Sequence, residues 1–63
     1  MNGLDKVKNV PAYAAQYRYI VARQVDGDLW FWGAYGTMER ATEAAESIDG
    51  LIVINEEGES KDE

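Results

Sequence analysis

The apolar positions of this chain fall into two unlike patterns. Residues 13–35 crowd aromatic and β-branched side chains on either side of Asp26-Gly27, whereas Met38, Ala41, Ala44, Ala45 and Ile48 recur at helical spacing. Asp-Gly between two β-prone runs predicts a two-residue type I′ hairpin, because both positions tolerate positive φ. The register then follows: Val25 faces Asp28, Gln24 faces Leu29, Arg23 faces Trp30, Ala22 faces Phe31 and Val21 faces Trp32. Period-two alternation puts Tyr17, Tyr19, Val21, Arg23, Val25, Trp30, Trp32 and Ala34 on one face. Arg18, Ile20, Ala22, Gln24, Leu29, Phe31, Gly33 and Tyr35 take the other.

The helical stripe has a start and a stop. Thr37 is the expected N-cap, Glu39 and Glu43 lie at the end where the helix dipole favours negative charge, and Gly50 suits the position just past the last turn. Leu51-Ile52-Val53-Ile54 follows at once, four β-formers with no polar break, which predicts a strand with little water on either side. The order β-β-α-β, closed by a right-handed crossover, gives an α+β fold of two layers. Its sheet has three strands in order 2-1-3, the third antiparallel to the first, with one helix on one face. Residues 1–12 read as an N-terminal arm, 13–55 as the single domain and 56–63 as an acidic tail without structure.

The helix is expected on the Ile20, Ala22, Leu29, Phe31 and Gly33 face, where large and small residues alternate and Gly33 leaves room. That choice strands Tyr17, Tyr19, Val21, Arg23, Trp30 and Trp32 on the far face as a candidate interface. Three covers fit it: a second copy of the chain, a foreign protein, or the arm folding back through Leu4, Val7 and Val10. A homodimer is expected, since a twofold copy would roughly double a thin core.

Charge and composition narrow the function. The 63 residues contain no cysteine and no histidine, and six Lys+Arg against twelve Asp+Glu leave a net charge of -6. Disulfides, thiolate chemistry and the commonest general base and zinc ligand are therefore absent. No cofactor or metal site is expected: Glu56, Glu57, Glu59, Asp62 and Glu63 are dense but lack the spacing of a calcium loop. Gly33 and Gly36 have no following Lys-Ser/Thr for a phosphate loop. Ser47 and Ser60 have no partner base, so the chain is read as a non-enzyme. The first 36 residues carry a net charge of +1 and the rest a net charge of -7. Glu39, Glu43 and Glu46 on the outer helix face form a candidate acidic surface, which either aids solubility or meets a basic cleft on another protein as a DNA mimic would. The aromatic face also resembles sheets that stack unpaired bases, but Arg23 is the one cation expected on it, and the overall charge argues against nucleic acid and anionic membrane. No apolar stretch approaches the roughly 20 residues of a membrane span, and residues 1–9 show no leader pattern, so a cytoplasmic location is expected.

Residues 26–35 (DGDLWFWGAY), 39–45 (ERATEAA) and 50–54 (GLIVI) resemble small uncharacterised proteins of bacteriophage and prophage genomes, over about residues 17–55. The resemblance implies a context, the host cytoplasm, and an action by binding a host protein. It carries over no functional residue. The expected function is a small acidic protein-interaction module, such as an inhibitor of a host protein. A self-assembling homodimer is the alternative, and a single-stranded nucleic-acid binder the third reading.

Overall fold

The computed structural model describes residues 3–59. Two 3-10 turns, Gly3–Lys6 and Ala12–Gln16, flank a two-residue strand β1 (Val7–Lys8). The expected hairpin is β2 (Tyr19–Val25) and β3 (Asp28–Tyr35), followed by α1 (Met38–Ile48) and β4 (Leu51–Ile54). The class is α+β, and β4 lies antiparallel to β2 on its far side from β3, as the crossover argument requires. The expected three strands become four. β1 adds parallel to β3 through Val7 opposite Leu29 and Lys8 opposite Trp30, giving the order β1-β3-β2-β4. Two residues are too few for periodicity to reveal a strand.

The turn is as expected. Asp26 and Gly27 have φ of 53° and 87°, the positive pair of a type I′ turn, and pairing from Val25–Asp28 to Ala22–Phe31 follows the predicted register. Then it shifts. Val21 pairs with Gly33 instead of Trp32, so Trp32 is the extra residue of a β-bulge. Beyond the bulge every partner moves by one. Tyr35 lies opposite Tyr19 and joins its face, where uninterrupted pairing would have placed Ala34.

That shift decides where the helix goes. Thr37 caps α1 by accepting a hydrogen bond from the Arg40 N–H at 3.2 Å. Ala41 and Ala45 are buried against Tyr19 and Val21, with Tyr35, Ala44, Ile48 and Ile52 packed around them. The helix therefore covers the Tyr19 and Val21 face, which corrects the expected Ile20 and Phe31 face. A helix stripe of alanines is flat, and with Tyr35 added this face supplies the larger side chains that fill it. Met38, expected in the stripe, is exposed.

The Ile20 and Ala22 face is covered as well. Both residues are fully buried, Gly3 lies against Val53, Tyr13 meets Phe31 edge-on at 6.3 Å, and Val7 is buried beside Leu29. The N-terminal segment is thus the second cover of the sheet rather than a separate arm.

Three expectations for the part of the chain after α1 also change. Asp49, not Gly50, takes the left-handed position after α1, at φ 56°. Gly50 is required for another reason: a Cβ there would lie 2.6 Å from the Ala22 carbonyl oxygen. β4 is not enclosed, because it ends the sheet and leaves Leu51 and Ile54 exposed. The first part of the acidic tail, expected to lack structure, is built in. The Gly58 N–H donates to the Asn55 carbonyl at 3.0 Å, and Glu59 bridges Tyr17 by accepting from the Arg18 N–H and donating to the Gln16 carbonyl. Residues 60–63 of the expected tail lie outside the described residues.

Candidate functional site

The structure divides the predicted interface residues between three environments. Tyr19 and Val21 are core beneath α1. Tyr17 is half-buried and stands edge-on to Tyr13 at 6.5 Å, in the aromatic cluster that the N-terminal cover makes with Phe31. Arg23, Trp30 and Trp32 stay together at the hairpin end of the sheet and remain exposed.

Local chain geometry builds this patch. The tight turn fixes Arg23 directly opposite Trp30. The bulge turns Trp32 toward Arg23, whose guanidinium lies 5.8 Å from the indole centroid. Parallel pairing sets Lys8 beside Trp30, with the ammonium 5.8 Å from that ring and 3.2 Å from the Asp28 carboxylate. Each cation thus rests near an indole, an arrangement worth about 0.5–1 kcal/mol at an exposed site. Trp30 is 41% exposed, Trp32 47% and Val25 40%. With Asp26 and Asp28 at the rim they line an open depression around the end of the hairpin. Nothing local in the sequence marks Lys8 as the neighbour of a tryptophan some twenty positions away.

Glu39, Glu43 and Glu46, the candidate acidic surface, are exposed on the side of α1 opposite its core stripe. Thr42 and Ser47 turn their hydroxyls back onto the helix, donating to the carbonyls of Met38 and Ala44 at 2.8 Å each. Among the described residues no three carboxylates converge to hold a metal ion. No helix among them is long and apolar enough to cross a membrane.

Chemically, the patch offers flat apolar contact area, two indole N–H donors and charges of both signs. Two cations, one already paired with Asp28, are few for a phosphate backbone on a chain of charge -6. Comparison with protein-family models, with curated proteins and with solved structures finds no match to this chain.

Proposed function

We propose that this chain is a small acidic, non-enzymatic protein-interaction module that docks a partner protein on Trp30, Trp32 and Arg23. The observation that carries the reading is the exposure of two tryptophans side by side at the hairpin end of a sheet whose central residues Tyr19, Ile20, Val21 and Ala22 are buried under α1 or the N-terminal segment. Tryptophan and arginine are enriched among the residues that dominate binding energy, and leaving two indoles in water has no benefit to the fold. The resemblance to small phage proteins supports a host protein as the partner. The test is affinity capture from host lysate with the wild-type chain and with Trp30→Ala/Trp32→Ala. A protein retained by the first, lost by the second and kept by a Glu39→Lys/Glu43→Lys control supports the reading. Retention by all three sinks it.

One observation favours self-association as the second reading. The patch carries Arg23 beside Asp26 and Asp28, so a twofold copy could set opposite charges against each other around the tryptophans. Sedimentation at roughly 100 micromolar separates the readings, since mass action populates even a weak dimer there. A dimer abolished by Trp32→Glu selects self-association, and a monomer selects the foreign partner.

A further inference from the structure

The two edges of the sheet are treated differently. On one side β3 is shielded by β1 with its exposed Lys8, and beyond it carries the Trp32 bulge, both devices that discourage further pairing. On the other side β4 ends the sheet with four apolar residues, no proline, no charge and no bulge. The Asn55 N–H donates to the Arg18 carbonyl at 2.8 Å, which sets the alternation of the antiparallel ladder with β2. Leu51 and Val53 accordingly bond inward. The Gly50 carbonyl, both backbone groups of Ile52 and the Ile54 N–H aim outward. Gly3 lies against the Ile54 carbonyl, so the open stretch is Gly50 to Val53.

A groove runs along this edge between β4 and α1. Ala45 and Ile52 face into it, the chain at Gly50 and Leu51 closes its side, and Glu46 and Asp49 rim it. Leu51 pairs with Ala22, so its side chain, 47% exposed, stands on the face away from α1, and no cation lines the groove. We propose that this edge takes an extended, basic segment of a partner protein as a fifth strand. Main-chain bonds to Ile52 would fix the segment, alternate Lys or Arg side chains would lie over the groove and face Glu46 and Asp49, and the apolar side chains between them would pack beside Leu51 on the opposite face. A second copy of this chain is the poorer occupant. Antiparallel β4–β4 pairing would place Glu46 and Asp49 of both copies around one joint, and like charges so placed repel. This site is independent of the tryptophan patch.

The test uses the full chain, isotopically labelled, with an acetylated Lys-Val-Lys-Val-Lys-Val-Lys peptide as probe. Chemical-shift changes along Gly50 to Val53 and slowed exchange at the Ile52 amide are expected, with the Trp30 and Trp32 indole signals unmoved. Backbone N-methylation at the inner lysines, whose N–H groups face β4 in antiparallel pairing, should weaken binding roughly tenfold or more, because it removes main-chain donors and leaves the charge. Glu46→Lys should also weaken it, and a Glu-Val peptide should not bind. Four results overturn the proposal: equal binding of the methylated peptide, which means charge attraction alone; shifts centred on the indoles; no binding at millimolar peptide; or a dimer of the chain alone that protects Ile52. The indole signals separate failure here from failure of the tryptophan-patch reading.

Discussion

Asn55 donates from Nδ2 to the Tyr17 carbonyl at 2.9 Å across 38 positions of chain. It is 1% exposed, and the same amide reaches the Ala15 carbonyl at 3.0 Å while Oδ1 accepts from the Glu57 N–H at 3.2 Å. One side chain thereby satisfies the end of the Ala12–Gln16 turn and the turn after β4. Removing it leaves buried carbonyls without donors, at about 1–3 kcal/mol each. Asn55→Ala should therefore lose about 2–4 kcal/mol in urea unfolding. Asn55→Asp should lose at least as much, since it replaces two donors with acceptors facing carbonyls. A loss below about 0.5 kcal/mol for either would deny the bridge.

Gly58 gives a second check on the same junction. A Cβ there would collide with the Tyr17 carbonyl and lie 2.7 Å from the Arg18 nitrogen, all of it backbone that cannot yield cheaply. Gly58→Ala should detach the 56–59 segment, speed exchange of the Arg18 and Glu59 amides and cost about 1–3 kcal/mol for two or three hydrogen bonds. Gly27→Ala is the contrasting case. Its surroundings are open, so only the positive φ of 87° penalises it, by about 1–2 kcal/mol, and amides around Glu59 should not respond.

What was legible in the sequence is what short-range chemistry decides. Asp26-Gly27 needs only its own backbone freedom to make the turn, and Thr37 needs only the N–H three residues on, so both emerged where expected. The strand order followed from the handedness of one crossover. The bulge at Trp32 did not show, because a two-strand pattern gives no sign of one extra residue when both faces are apolar. That single slip misassigned the partners of Val21 and Tyr19 and, with them, the face that receives α1. β1 and the Asn55 bridge depend on partners far away in sequence, which residue type alone does not mark. Of the candidate site, Arg23, Trp30 and Trp32 were found together because they flank the turn on the near side of the bulge or within it. Tyr19 and Val21 beyond it were lost to the core.

The reassigned faces predict opposite outcomes for neighbouring hydrophobic residues. Ile20 is fully buried between the sheet and its N-terminal cover, so Ile20→Ala should lose about 2–5 kcal/mol. Trp32 removes far more side chain, yet it is 47% exposed. Trp32→Ala should change monomer stability by less than about 1 kcal/mol. Chemical unfolding at low protein concentration measures both. A reversed ranking would return the indoles to the core and remove the basis for a binding patch.

Asp49 combines two local penalties. It holds φ at 56° and ψ at 40°, a conformation that costs a residue with a Cβ about 1 kcal/mol, more for bulky side chains than for aspartate. It also places a carboxylate at the C-terminal end of α1, where the helix dipole is negative and disfavours it by roughly 0.3–1 kcal/mol. Asp49→Gly removes both penalties and should raise stability by about 1 kcal/mol, or roughly 4–8 °C in Tm for a domain of this size. Asp49→Asn keeps a side chain that tolerates the left-handed region and removes only the charge, so it should gain less. The adjacent Gly50→Ala should go the other way, because its Cβ meets the Ala22 carbonyl and the outer end of the Ile48 side chain. Thermal melts of the three variants together distinguish backbone strain from electrostatics: equal gains for Gly and Asn at position 49 would assign the whole effect to charge.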